Sequence, residues 1–252
     1  MISLKGRVAL VTGGSRGIGR ACAMMLARSG ADVVISYARD NEGAAQTVRD
    51  LRVLGNKAAA LEADLRTFGA AEALLRRAGE ILGPPTILVA NHGIWEAAPI
   101  DTMTEADYDR TLDTNLKGTV AVCRYTVPGM KEAGWGRIVL LSSMAAQRGA
   151  TSRALYAASK GAIVSLVRSL ARELAPAGIL VNGVAPGWVA TDMIRPLLED
   201  EARRRELLAK VPLGRVALPD EIAATVLFLA SDLATYLCGE IVNVNGGAHL
   251  GG

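Results

Sequence analysis

The chain has 252 residues, half of them hydrophobic, 21% charged and 4% aromatic, with a formal net charge of +3. That length buries a core without disulfides or metal, and so apolar a composition excludes a disordered chain. The slight, dispersed positive charge excludes nucleic acid as the main partner, and no apolar run approaches the roughly 20 residues that span a bilayer.

Val8-Ala9-Leu10-Val11 is a strand-like run that ends in a glycine turn, and Ile18 to Ser29 follows with helical spacing. Val33-Val34-Ile35 reads as a second strand, Glu42 to Leu54 as a helix and Ala58 to Ala63 as a third strand. Phe68 to Leu82 is predicted helical, closed by Gly83-Pro84-Pro85, and Ile87-Leu88-Val89 is a fourth strand. A long helix starts near Thr104, where Asp107 three residues on makes a capping box, and runs towards Lys131. Ile138 to Leu141 is a strand, Ala154 to Leu174 a helix ended by Pro176 and Gly178, and Ile179 to Val184 another strand. A less regular stretch from Gly187 to Leu218 precedes a helix with Pro219 in its first turn. Ile241-Val242-Asn243-Val244 is the last strand.

Continuous apolar strands separated by helices are the pattern of a parallel sheet covered on both faces. The expected architecture is α/β: one doubly wound Rossmann domain over residues 1–252, with a seven-stranded parallel sheet. Cys22, Cys123 and Cys238 lie far apart, without a C-x-x-C pair or a histidine at metal spacing. They are expected to be small buried hydrophobes in a reducing cytoplasm, with no metal site. The Met1-Ile2-Ser3-Leu4-Lys5 start has no signal architecture, so a soluble cytoplasmic chain is expected. Arg203-Arg204-Arg205, flanked by Glu201 and Glu206, reads as a solvated helix face.

The first strand runs into Thr12-Gly13-Gly14-Ser15-Arg16-Gly17-Ile18-Gly19. Such a loop supplies positive-φ positions and brings backbone N–H groups to a pyrophosphate at a helix N-terminus. Its Gly-x-x-x-Gly-x-Gly spacing differs from the literal G-x-G-x-x-G fingerprint, and a plain strand-to-helix turn is the alternative. Arg20 and Ala21 stand where a P-loop needs Lys and Ser/Thr, which argues against nucleotide hydrolysis. NAD sites place a carboxylate at the tip of the second strand; here the tip reads Ser36-Tyr37-Ala38-Arg39. Arg16 and Arg39 offer guanidinium forks for a 2′-phosphate, so NADP(H) is favoured over NAD(H), with a solvated Arg39 as the alternative.

Tyr156-Ala157-Ala158-Ser159-Lys160 sets Tyr and Lys at i and i+4, one above the other on a helix face. A phenol near pKa 10 exchanges protons poorly at neutral pH, and an adjacent ammonium lowers that pKa. With only two histidines and no G-x-S-x-G, a hydrolase built on Ser143 is disfavoured.

Thr12 to Gly19, Asn115, Ser143, Tyr156, Lys160 and Pro186-Gly187 together resemble the short-chain dehydrogenase/reductase family. The resemblance runs from Gly6 to Gly247 and is nearest to the 3-oxoacyl-[acyl-carrier-protein] reductase type. It implies Tyr156 as general acid/base, with Lys160 lowering its pKa and bonding the nicotinamide ribose. It implies Ser143 bonding the substrate oxygen, and Asn115 holding a water that links Lys160 to solvent. Cofactor contacts are implied for Gly13, Ser15, Arg16, Gly17, Ile18, Gly19, Arg39, Asp64, Leu65, Asn91, Gly93, Tyr156, Lys160, Pro186, Gly187, Val189 and Thr191, with Asp64 at the adenine and Thr191 at the carboxamide. His92 replaces the family's usual Ala and is expected to be a hydrogen-bonded structural histidine.

The segment after Gly187, about residues 187–218, is expected to be a substrate lid. Trp95, Met144, Trp188 and Met193, with Ser143, are expected to line a mostly apolar pocket for a ketone or secondary alcohol. Arg148 and Arg153 offer an anion contact or simply face solvent. An NAD-dependent sugar or polyol dehydrogenase and a non-catalytic dinucleotide-binding regulator are the alternatives; a regulator of that kind typically loses Tyr156 or Lys160. Carrier-protein reductases of the family commonly place cations where Gly134 and Ala177 stand, which puts acyl carrier protein in doubt as a partner. A homotetramer is expected, with the helices over Thr104–Lys131 and Ala154–Leu174 at one interface and the last strand and its tail to Gly252 at the other.

Overall fold

Seven strands form a single parallel sheet in the computed structural model, which describes residues 2–250. Met1 and the Gly252 end of the expected tail interface lie outside the described residues. The strands are β1 (Val8–Thr12), β2 (Asp32–Tyr37), β3 (Ala58–Glu62), β4 (Ile87–Ala90), β5 (Gly136–Leu141), β6 (Ile179–Pro186) and β7 (Ile241–Val244). Their order is β3-β2-β1-β4-β5-β6-β7, so the direction of winding reverses between β1 and β4. That reversal opens a crevice at the carboxyl ends of the strands, where ligands bind in sheets of this kind.

Pleating explains the uninterrupted apolar strands. Ala9 and Val11 of β1 face one core with Leu26, Leu51 and Val226, whereas Leu10 faces a second with Leu75, Ile138 and Ile163. The first core lies under α1 (Gly17–Arg28), α2 (Asn41–Val53) and the helix Pro219–Ala230; the second lies under α3 (Phe68–Leu82) and the helices Gly118–Ala133 and Ala154–Leu174. Leu10 is completely buried, and Leu10→Ala would cost about 2–5 kcal/mol, as for other large core truncations.

The long helix expected from Thr104 to Lys131 is interrupted in register. It comprises α4 (Glu105–Leu112), a π turn over Asp113–Lys117 and α5 (Gly118–Ala133). The Thr104–Asp107 capping box is present in full. After β5 come the short α6 (Ala145–Arg148) and α7 (Ala154–Leu174). The stretch expected to be irregular contains α8 (Arg195–Glu199) and α9 (Glu201–Ala209), ahead of α10 (Pro219–Ala230). Backbone bonding between Trp188, Ala190 and Ala217 pinches the two ends of that segment together. Cys22 and Cys123 are buried, and burial pushes both thiols up to about 12. Cys238 is exposed, against expectation, because it falls in the irregular turn ahead of β7 rather than in a core-facing element. No described helix is long and apolar enough to cross a membrane.

Candidate active site

The glycine loop closes by a bond from Gly14 N–H to the Ser36 carbonyl (2.9 Å), tying it to β2. Gly13 (φ +65°) and Gly17 (φ +56°) hold left-handed conformations that a side chain would strain. A Cβ on Gly19 would collide with the Gly13 carbonyl, so loop and helix pack backbone to backbone. α1 begins at Gly17 with no acidic residue in its first turn and no side-chain cap, which leaves its N-terminal N–H groups directed outward.

The end of β4 is fastened to this loop. Asn91 Nδ2 donates to the Thr12 carbonyl (3.1 Å) and the Gly13 carbonyl (3.2 Å), and Asn91 N–H donates to Thr12 Oγ1 (3.0 Å). His92 Nδ1 lies 2.7 Å from the same Thr12 hydroxyl. Burial drives His92 down to about 3, with the Lys160 charge acting in the same direction, so its ring is neutral at physiological pH.

Asn115 sits in the π turn and is fully buried. Its Oδ1 accepts Ile94 N–H (2.8 Å), while Nδ2 donates to the Ile94 carbonyl (3.0 Å) and to Ser159 Oγ (3.1 Å). Ser159 Oγ in turn donates to the Tyr156 carbonyl (2.7 Å). A π turn shifts the helix register by one residue and recurs at functional sites. Here it delivers the Asn115 amide to the β4 loop and α7 together.

Tyr156 and Lys160 lie one turn apart in α7. Lys160 Nζ donates to the Leu141 carbonyl (2.8 Å), and the Lys160 carbonyl accepts Ser142 Oγ (2.8 Å), which clamps α7 to β5. Burial moves both side chains toward their neutral forms. The Tyr156 phenol is pushed above its ordinary value, with the Ser143 hydroxyl acting against the shift. Lys160 is pulled down to about 8. The net displacement of the Tyr156 phenol is therefore upward, against the expected lowering by Lys160, and the group that opposes burial is Ser143.

A cavity of about 120 Å³ gathers most of the expected residues: Ile18, Asn91, Gly93, Ser143, Tyr156, Lys160, Pro186, Gly187, Val189, Thr191 and Met193. Leu141, Ser142 and Ile194 also line it. Nothing in the sequence flags Leu141, whose contribution is a backbone carbonyl. Gly13, Ser15, Arg16, Gly17 and Gly19 form the adjoining loop, while Arg39, Asp64 and Leu65 follow β2 and β3. Leu65 is buried in the second core. Asp64 is engaged by Arg66 through both carboxylate oxygens, and the Arg66 hydrogen bonds hold Asp64 below its ordinary pKa. Arg66 had no motif to announce it. Arg16 is turned toward Asp192 (3.5 Å), which also pairs with Arg195, while Arg39 is exposed and makes no ion pair within 4 Å among the described residues.

Of the expected pocket lining, Met144, Trp95 and Trp188 do not border this cavity. Met144 is only 4% exposed, and its N–H is bonded to the Pro186 carbonyl at a tight strand-to-helix corner. Trp95 and Trp188 pack edge to face against each other instead, with centroids 6.0 Å apart.

Residues 13–249 match the family model described as enoyl-(acyl carrier protein) reductase. The 3-oxoacyl-[acyl-carrier-protein] reductase of Pseudomonas aeruginosa is 41% identical over 99% of this chain and 100% of its own length. The crystal structure of a 3-oxoacyl (acyl-carrier-protein) reductase from Agrobacterium tumefaciens C58 with NADP bound is 34% identical, with a TM-score of 0.91 over 97% of this chain and 95% of that one. A glucose/ribitol dehydrogenase structure from Brucella melitensis is 38% identical, with a TM-score of 0.91 over 99% of both chains. Sheet order, glycine loop and these likenesses agree, and the chain belongs to the short-chain dehydrogenase/reductase family of NAD(P)-dependent oxidoreductases.

Proposed function

We propose that the chain transfers hydride between NADP(H) and a small ketone or secondary alcohol, with Tyr156 as the proton-exchanging group. The observation that carries this reading is the convergence of Ser143, Tyr156 and Lys160 on one cavity beside the glycine loop. The loop fits a dinucleotide: Gly13, Gly14, Gly17 and Gly19 carry no side chain to cover its backbone N–H groups, and the uncapped start of α1 suits a pyrophosphate. Arg39, without an acidic partner, suits a 2′-phosphate. The NADP bound to the Agrobacterium relative supports the same choice.

When bound, the dinucleotide supplies or removes hydride at its nicotinamide. Ser143 Oγ donates to the substrate oxygen and fixes the carbonyl against Tyr156. Tyr156 Oη, kept protonated by burial, delivers the proton to that oxygen in reduction and takes it back in oxidation. Lys160, anchored on the Leu141 carbonyl one helix turn from Tyr156, supplies the ammonium that stabilises the charge developing on the phenol. Asn115 spends its side-chain amide on Ile94 and Ser159, so it acts as a positioning residue for the loop after β4 and for α7. Pro186, Gly187, Val189 and Thr191 form the far wall, and the 187–218 segment closes over it. Residues 1–252 are read as one domain with this lid.

We also infer a homotetramer built through α4, α5 and α7 and through β7. Ala158, Ser165 and Ser169 of α7 are exposed and small enough for a close helix approach, whereas Thr119 and Val122 are buried within their own chain. Light scattering at micromolar concentration is expected to give four copies.

The activity is tested by initial rates on a panel of ketones, secondary alcohols and polyols with NADPH and NADH. NADPH is expected to give the higher kcat/KM. Arg39→Ala should erode that preference by about 1–3 kcal/mol, the range of hydrogen bonds to charged groups. A wild-type preference for NADH, or no turnover of any member, would overturn the reading.

A further inference from the structure

Three segments that follow β4, β5 and β6 meet beside the cavity. Trp95 comes from the first, Arg153 from the second and Trp188 from the third. The Arg153 guanidinium carbon lies 3.8 Å from the Trp95 ring centroid, and Trp95 meets Trp188 edge to face. Ala98 N–H donates to the Ser152 carbonyl (2.8 Å), which pins the first segment to the second. Arg153 is the N-cap of α7 and Tyr156 stands three positions on, so both belong to the start of the same helix. Trp188 directly follows Gly187 of the cavity wall.

This arginine has no acidic partner among the described residues. The carboxylate nearest in the chain to its stacking partner is Glu96, and Arg110 takes it at 2.6 Å. Arg153 makes no side-chain hydrogen bond, and its Nε is buried without an acceptor. Trp188 Nε1 is likewise buried and unpartnered. A solvated surface arginine does not leave its Nε dry, and a structural one finds a carboxylate or carbonyl. Stacking on an indole fixes the guanidinium plane and leaves its terminal N–H groups as a preorganised fork. Burial opposes the Arg153 charge, which an incoming anion would relieve.

We propose that Arg153, held by the Trp95–Trp188 pair, is a subsite for a substrate carboxylate, so that the ketones this enzyme prefers are oxo acids. The inference rests on the oxidoreductase reading above and names its substrate class. One cation with a flat fork matches a planar monoanion; no second cation is stacked in the cluster to match a dianion.

The test compares 3-oxobutanoate with its ethyl ester, using NADPH, wild type and Arg153→Gln. The wild-type carboxylate-to-ester ratio of kcat/KM is expected to exceed about tenfold, the yield of one charge-assisted hydrogen bond, and to fall close to one in R153Q. A wild-type ratio near one, or a ratio unchanged by R153Q, would overturn the proposal. So would an equal loss on both substrates, since that marks a packing role. A second readout needs no turnover: butanoate titrated against tryptophan fluorescence. Trp135 is stacked between Arg7 and Arg137, away from this cluster, and supplies a constant background. A saturable change in wild type that disappears in R153Q supports the subsite even if neither ketone is reduced, in which case the oxidoreductase reading alone is at fault. Absence of any saturable change would sink the subsite while leaving that reading standing.

Discussion

The cavity floor is a network: the lining residues Asn91, Ser142 and Lys160, and the fully buried Asn115 and Ser159 that bond to the same loop and helix, hold one another and nearby carbonyls through hydrogen bonds. At the rim, Arg16, Asp192, Arg195, Glu96 and Arg110 pair across partly exposed surface, and Trp95, Trp188 and Arg153 stack. A buried hydrogen bond that loses its partner leaves a group that water cannot satisfy, whereas an exposed ion pair that breaks is simply rehydrated. The floor can therefore hold one geometry within tenths of an ångström, and the rim can be re-formed around different molecules at small cost.

The comparison breaks most visibly at Tyr156. Tyr156→Phe removes a hydroxyl and no framework bond, so kcat should fall about 10²–10⁴-fold with little change in thermal midpoint. A comparable loss of stability would place Tyr156 in the framework instead. Asn115→Ala should act the other way round. It strips partners from the Ile94 N–H, the Ile94 carbonyl and Ser159 Oγ, and should cost about 2–4 kcal/mol in denaturant titration before any kinetic effect is considered.

Lys160 sharpens the contrast, because burial sets stability against function there. The unfolded chain keeps this proton up to its ordinary 10.5, while the folded chain gives it up near 8. Between those values the unfolded state binds more protons, so stability from this group rises with pH; below pH 8 the full penalty, about 3 kcal/mol, stands. Lys160→Met should therefore raise stability at pH 7 by about 1–2 kcal/mol after the orphaned Leu141 carbonyl is counted, flatten the pH dependence from 8 to 10.5, and impair turnover. A destabilised K160M would mean that the ammonium earns its place by bonding. The smallest effect belongs to the surface: Arg205→Ala breaks an exposed pair with Glu201 in α9 and should change stability by about 0.5 kcal/mol or less.

Much of the floor is legible in the sequence because its chemistry depends on spacing along one element. Tyr156 and Lys160 are a helix turn apart, and the glycines of residues 13–19 serve one loop conformation. Strand positions are equally plain, since burial on both faces keeps the apolar runs long and interrupts them only with single polar residues such as Asn182 and Asn243. The rim resisted for the opposite reason. Arg153 meets Trp95 across 58 positions of chain and Arg16 meets Asp192 across 176, and no local pattern announces such pairs. Met144 misleads because its place after β5 predicts that it borders the cavity, whereas it is buried outside the cavity's lining.

The π turn at Asp113–Lys117 acts as a phase shifter. A regular helix advances about 100° per residue, so one extra residue in a turn rotates everything beyond it by that angle. α4 presents its contact stripe to α7, whereas α5 presents its own to α3, two directions that an unbroken helix of this sequence would not serve together. Excising a single residue from the turn would bring the two halves back into phase. Either the stripe that meets α7 or the one that meets α3 would then face water, although every residue of both stripes remained in the chain.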